Sequence, residues 1–303
     1  MANLREIKKR INSVSTTQQI TRTMEMVATA KIARALQREA SSEAYTAAIT
    51  DVMLTVAQDA GTDTSNPLLQ EPESYERALV IAISSDRGLA GGFNVQVERA
   101  AEQRINHFYR HGAKEVELIT CGRKATDYFH KYPHKVMGIV GESDDPTVEN
   151  ARIVANYVIE AYAHGHIGRA DIVYFHAKNR VEQVLRLERI LPLDSTVLRT
   201  ARGPRANENE APKGLTSPFE FVPSAEHVLD KLIPSYVFTV VHQALIDSAA
   251  AEQGARRKSM HSATENASAI IADLSRTYNR VRQASITTEL NEIVGGAAAL
   301  EEN

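Results

Sequence analysis

Apolar residues recur at intervals of three and four at both ends of the chain, and as short strand-like runs in its middle. From Met1 to Ala60 there is no Gly and no Pro; from Ser235 to Val294 there is one Gly, Gly254, and no Pro. Both stretches are rich in Ala, Gln, Glu, Arg and Lys, which favour helix. Leu4, Ile7, Ile11 and Val14, then Ile20, Met24 and Val27, trace a stripe on the first. Ala267, Ile270, Leu274, Tyr278 and Val281 trace one on the second. The threes and fours are a coiled-coil spacing, with a phase slip expected near Thr17. A helix of this length would run about 90 Å at 1.5 Å per residue. A domain built from the central residues would be only about 40 Å across, so the two helices are expected to pair antiparallel as a rod. Many seam positions are Ala, Ser or Thr, which bury little apolar area; the rod should need something around it.

The middle alternates. Strands are predicted at Arg77–Ser84, Glu115–Cys121, Lys135–Val140, Ala170–Ala177 and Val181–Leu191, and helices at Asn94–His111, Arg123–His130 and Thr147–His164. That order implies an α/β layer with a mostly parallel sheet. Ala177–Arg180 (AKNR) reads as a hairpin turn, and Arg199–Pro218, rich in Gly, Pro and Asn, as a mobile loop. The expected organisation is a helix over 1–60, a linker over 61–74, the α/β domain over 75–198, a loop over 199–223 and a second long helix over 224–303.

The glycine-rich stretch SSDRGLAGGF (Ser84–Phe93), between a strand and a helix, is where a phosphate could sit. The Walker pattern needs a Lys and a hydroxyl after its last Gly, and neither follows Gly91 and Gly92. The dinucleotide spacing fails as well. A tight turn with close strand–helix packing is the simpler reading. His107 and His111 could share a helix face, and His164 and His166 flank a Gly, but neither pair has a carboxylate or third ligand near in sequence. No nucleophile elbow appears, and the lone Cys121 has no evident base.

Charged residues make up 24% of the 303 residues and the formal net charge is −3, so nothing pulls the whole chain toward nucleic acid. One cysteine excludes an internal disulfide and a cysteine metal cage. No signal or transit peptide and no membrane-length apolar run is visible, which suits a reducing compartment. Charge is uneven, however. Arg5, Lys8, Lys9, Arg10, Arg22, Lys31, Arg34 and Arg38 face only Glu6 and Glu25 over the first 38 residues, and the second helix carries ARRK at Ala255–Lys258. Basic patches on a rod suit an acidic partner surface.

Four stretches carry a resemblance: TQQITRTMEMVATAKIARA (Thr17–Ala35), SDRGLAGGFN (Ser85–Asn94), AEQGARRKSMHSATENA (Ala251–Ala267) and RQASITTELNEIVGGAAAL (Arg282–Leu300). In order and over nearly the whole chain, they resemble the gamma subunits of rotary F-type ATP synthases. The resemblance implies an antiparallel coiled coil of two terminal helices with a Rossmann-like domain between them. It further implies a central rotor shaft inside a hexamer of alpha and beta subunits, with an epsilon subunit at its base on a ring of c subunits. One copy per complex would transmit torque between ion flow and ATP synthesis or hydrolysis. It would sit at the cytoplasmic face of a bacterial plasma membrane, with no cofactor, metal or catalytic site of its own. Met24 matches the family Met facing the beta lever. Arg256, Gln283, Thr287 and Glu289 match positions tied to coupling, and Asp86 and Arg87 match a turn that touches a beta subunit. Ala90 and Gly295 depart from the common Cys and Ser, and the lone cysteine rules out the redox pair of chloroplast-type members. The competing readings are an α/β nucleotide-binding enzyme with a helical dimerisation rod, which needs ligand-grade residues at Ser85–Gly92, and a free coiled-coil scaffold, which needs a stronger Leu/Ile seam.

Overall fold

The computed structural model describes residues 4–60, 66–70, 72, 75–139, 141, 143–193, 221–222 and 224–301. The loop expected at Arg199–Pro218 lies outside the described residues. The elements are α1 (Leu4–Ala60), a 3-10 turn (Pro67–Leu69), β1 (Arg77–Ile83), α2 (Phe93–Arg110), β2 (Glu115–Cys121), α3 (Arg123–Phe129), β3 (Val136–Ile139), α4 (Val148–Ala163), β4 (Arg169–His176), β5 (Val184–Leu191) and α5 (Ala225–Glu301). Every predicted central element is present. Most edges agree within a residue, but β5 begins at Val184, because Asn179 Oδ1 accepts the N–H groups of Val181 and Glu182 and holds them in the hairpin turn. The helix α5 carries Pro234 in its interior.

The chain divides into two compact units, residues 1–27 with 257–303, and residues 28–256, so each long helix contributes to both.

The first unit is an antiparallel helix pair. Gln18 bonds Ser268 at 2.6 Å, Thr21 bonds Thr264 at 2.8 Å and Glu25 pairs with His261 at 3.0 Å. Rising numbers on one helix meet falling numbers on the other. The seam is the covered or half-covered row Leu4, Ile7, Ile11, Val14, Gln18, Thr21 and Glu25 on α1, against Met260, Thr264, Ala267, Ile271, Leu274, Tyr278 and Val281 on α5. Both rows keep unbroken alternate three and four spacing. The phase slip expected near Thr17 therefore does not occur. The seam continues through polar residues, Gln18 and Thr21, and the apolar Ile20 and Val27 face outward, 55% and 51% exposed. Ile270 is likewise outside, with Ile271 in the seam.

The second unit holds a five-stranded sheet in the order β3-β2-β1-β4-β5. β1 to β4 are parallel and β5 is antiparallel to β4. The sheet is buried on both faces, which is why β1 reads as the continuous run ALVIAI rather than as an alternation. One face, with Leu79, Ile81 and Ile172, packs on α4, on Ile49, Met53 and Val56 of α1, and on Leu229, Ile233, Tyr236 and Val237 of α5. The other, with Ala78, Val80 and Val173, packs on α2, α3 and Ala250–Ala251 of α5. At Gly254, the sole glycine between Ser235 and Val294, a Cβ would stand 2.5 Å from Nε2 at the end of the Gln183 side chain, which would have to move aside.

Candidate functional site

In an open, mostly parallel sheet, ligands enter the crevice beyond the carboxyl ends of the strands, where the strand order reverses. Here that reversal lies between β1 and β4, and the glycine-rich turn leaves β1 there. The turn's groups are engaged within the chain. Ser85 N–H and Oγ both bond Asn94 Oδ1, at 3.0 and 2.9 Å. The Asp86 carboxylate accepts the N–H groups of Arg123 at 2.9 Å, Gly141 at 3.0 Å and Ser143 at 3.0 Å, and the Asp86 N–H donates to Ser143 Oγ at 2.9 Å. Asp86 thus ties together the loops after β1, β2 and β3. Burial works to raise its pKa, but those backbone donors outweigh it and hold the carboxyl below its ordinary value. Gly122, at φ +97°, is needed beside it, since a Cβ there would meet Ser84 O at 2.3 Å.

The rest of the crevice is closed by α5. Asp247 accepts Ala177 N–H at 2.7 Å and bonds His176 Nδ1 at 2.6 Å, just past the end of β4. Glu252 and Arg256, both buried, pair at 2.6 Å, and Arg256 also reaches Gly88 O at 3.4 Å. Beside the ends of β1, β2 and β3 the remaining cavity has a volume of about 20 Å³. Small-molecule pockets run to about 300–1,000 Å³. This space takes a water, not a nucleotide, and it weighs against the nucleotide-binding reading.

A second polar cluster fastens the loop between β3 and α4 to both long helices. Asp144 bonds Lys31 of α1 at 2.6 Å and Gln253 of α5 at 2.5 Å, with Arg256 Nη1 at 3.7 Å. Asp145 pairs with Arg38 of α1. Lys31 and Arg38, which the sequence offered to an acidic partner, are therefore held by this chain's own acids.

The expected site residues fall into three places. Asp86 and Arg87 lie on the glycine-rich turn, Asp86 partly buried and Arg87 exposed. Arg256 lies inside the second unit, 7% exposed, in the ion cluster just described. Met24, Gln283, Thr287 and Glu289 lie in the first unit, Met24 half-buried and the other three exposed. Thr287 Oγ1 donates to Gln283 O at 2.9 Å, which places these two one helical turn apart.

Three features escaped the sequence reading. Leu89 sits in the glycine-rich turn at φ +66° and is 61% exposed. A non-glycine residue held there is strained, and a Leu inside a run of glycines was the available signal. Next, the stripe Ile20, Met24 and Val27, expected in the seam, instead flanks it, with Ile20 and Val27 exposed and Met24 half-buried. Finally, the observed pairs sum to 285 (21 + 264) or 286 (18 + 268, 25 + 261), which puts Leu4 opposite residue 281 or 282. Among the described residues, α5 beyond that point has no α1 counterpart, and there Ile286, Leu290, Ile293 and Val294 stand 49%, 56%, 68% and 66% exposed. Their i, i+4, i+7, i+8 spacing makes one apolar stripe.

One unit holds an α/β sheet and the other an antiparallel helix pair, and the same two long helices contribute to both; the comparisons agree with this organisation. A family model described as ATP synthase matches residues 3–300. An ATP synthase gamma chain of Streptomyces coelicolor is 38% identical over 99% of this chain and 96% of its own length. That of Heliobacterium modesticaldum is 36% identical over 99% of this chain and all of its own. In fold, the chain is similar to one in a Euglena gracilis mitochondrial ATP synthase structure (TM-score 0.64, 19% identity, 98% of this chain and 94% of that one). It is also similar to one in the central stalk and c-ring structure from Tetrahymena thermophila (TM-score 0.59, 20% identity, 80% and 99%). The chain belongs to the ATP synthase family, among its gamma chains.

Proposed function

We propose that the chain is the central rotor shaft of an F-type ATP synthase, coupling rotation of an ion-driven c-ring to the catalytic sites of an alpha/beta hexamer. The end-to-end match to gamma chains carries this reading, and the physical features support it. The far end of α5, residues 283–301, has no α1 counterpart among the described residues and carries an apolar stripe in water. Covering that stripe removes apolar area from water, and a surrounding sleeve of other subunits gives it its cover. Met24 and the stripe it shares with Ile20 and Val27, with Gln283, Thr287 and Glu289, form the surface offered to the hexamer. Arg87 and Leu89 offer a second contact from the α/β domain.

Arg256 acts differently in this reading. Buried and bonded on three sides, it holds the glycine-rich turn and Asp144 against α5 rather than touching a partner. In functional terms, residues 1–60 and 224–303 are the shaft helices and 75–198 the α/β domain, which with the epsilon subunit meets the c-ring. The chain has no catalytic site of its own; the phosphate chemistry belongs to the beta subunits. It works at the cytoplasmic face of a bacterial plasma membrane, one copy per complex, and among the described residues no helix is long and apolar enough to cross a membrane.

The test is rotation. Asn106 is exposed on α2, and Asn106→Cys supplies a bead attachment point. The native Cys121 thiol is buried, and that burial, with the Asp86 charge, pushes its pKa up to about 12, so it will not compete for the label. With alpha and beta subunits assembled and ATP supplied, the bead is expected to turn in steps of a third of a revolution. An active complex with a stationary bead would make the chain a static scaffold.

A further inference from the structure

The cavity at the strand ends contains a buried hydroxyl with nothing to bond. Ser248 Oγ is fully covered and has no hydrogen-bond partner among the described residues, and Ser248 as a whole is 2% exposed. It lines the cavity of about 20 Å³ together with Glu252, one turn further along α5, and with Ser84, Ser143 and Asn150. Ser84 Oγ and Ser143 Oγ each already accept a backbone N–H, from Ala125 and Asp86. Glu252 Oε1 accepts from Arg256 at 2.6 Å. A buried hydroxyl left unpaired is costly. A cavity needs about 10–15 Å³ and two or more polar partners to hold one water. This one has the volume, an unpartnered hydroxyl and a carboxyl on the same helix face.

We propose that this cavity is a binding site for a single structural water, bridging Ser248 Oγ and the Glu252 carboxyl. A water suits this position better than a fixed side chain, because it donates to the carboxylate and accepts from the protonated acid. Arg256 donates to the carboxyl but has no acceptor for the O–H of its protonated form. The groups that face Glu252 are Arg256 on its own helix, Ser143 and Asp144 on the loop before α4, and, through Asp144, Lys31 of α1. The water, with the Ser143 hydroxyl that also bonds Glu252, keeps the carboxyl bonded whichever charge it carries. It thereby keeps α5 seated where a nucleotide-binding domain would leave an open crevice.

The test uses the full chain, with Ser248→Ala and Ser248→Val, and a map of the assembled complex fine enough to show ordered water. With a water in place, removing the hydroxyl leaves that water a partner short, and Ser248→Val displaces it; both variants should melt lower, by roughly a few degrees. In a dry cavity the hydroxyl is a pure cost, so Ser248→Ala would melt at the same temperature or higher and Ser248→Val higher still; that result overturns the proposal. Density for one solvent atom within hydrogen-bond distance of both Ser248 Oγ and Glu252 supports it, and an empty cavity refutes it. A wild-type melting temperature that rises with sodium over choline at equal ionic strength would assign the site to a cation and overturn it too.

Discussion

Glu252 and Asp86 show how one crevice sets opposite acid strengths in two carboxyl groups that both bond Ser143. Burial raises Glu252 to about 7, against the opposing pull of Arg256; backbone donors lower Asp86. The signs of their stability contributions follow. For Glu252 the folded state binds the proton more tightly than the unfolded state. Its contribution is fully present below the unfolded value of about 4.5 and is lost as pH rises through about 7, a swing on the order of 3 kcal/mol. Glu252→Gln removes that titration. The melting temperature of the variant, relative to wild type, should climb as pH goes from about 4.5 to 7 and then level off. Difference curves from melts across that range check it, and a flat difference would mean that Glu252 is not protonated there. Asp86 has the reverse sign: its contribution is present above its ordinary carboxylate pKa and is lost as pH falls through the lowered one. Asp86→Ala leaves three backbone N–H groups without their acceptor. Each unpaired donor costs about 1–3 kcal/mol when buried, and partial exposure of this turn reduces that figure. A loss of about 2–4 kcal/mol at neutral pH is expected by denaturant melting, and Asp86→Asn should recover only part of it, because its amide offers one acceptor oxygen rather than two.

At the scale of elements, the coiled coil is held by a mixed seam. Thr21 and Thr264 bond each other inside it, and Gln18 bonds Ser268. Polar pairs at such positions fix register at a cost in stability. Replacing both partners of a buried hydrogen bond by apolar groups of the same shape is neutral or stabilising. Thr21→Val with Thr264→Val should therefore raise the helical melting transition of the purified chain, by about 1 kcal/mol, in far-UV circular dichroism. Either single change should lower it, because it leaves the other hydroxyl without its cross-helix partner; a double variant that melts below both singles would show that the pair sets more than register. This seam also shows what the sequence could disclose. Elements were legible because their causes are local. A run such as ALVIAI, bounded by turn residues, reads as a buried strand, and Thr147 caps α4 at Asn150 N–H as its side chain allows. In the seam, hydrophobicity does not mark burial. Here Gln18 and Thr21 are inside while Ile20 and Val27 are outside, a pattern that makes sense only if something else covers the apolar side. The Asp144 cluster was not legible at all: Lys31, Asp144 and Arg256 are more than a hundred residues apart in pairs and meet only through the fold.

At the scale of the whole molecule, the surface that the chain leaves uncovered matters most. The lone end of α5 bears Ile286, Leu290, Ile293 and Val294 on one face, and no described residue of this chain packs across it. These side chains cannot be stabilising the isolated chain much, since about half or more of each is already in water. They can stabilise an assembly, where covering them removes apolar area from water at about 25 cal/mol per Å². The two roles separate experimentally. Leu290→Glu with Ile293→Glu should leave the melting of the free chain within about 0.5 kcal/mol, the ordinary range for exposed positions. The same pair should weaken assembly with alpha and beta subunits, and uncouple ATP hydrolysis from rotation in whatever complexes form. Thr288 lies across the helix from the stripe, with its hydroxyl already bonded to Ala284 O at 3.0 Å. Thr288→Glu adds one charge there and Leu290→Glu alone adds one on the stripe, so this matched comparison separates the effect of the face from that of charge. If the stripe variants assemble and rotate as well as Thr288→Glu does, the outward apolar face is not the bearing surface. The contact with the hexamer would then have to lie on the Ile20–Met24–Val27 stripe of α1 instead.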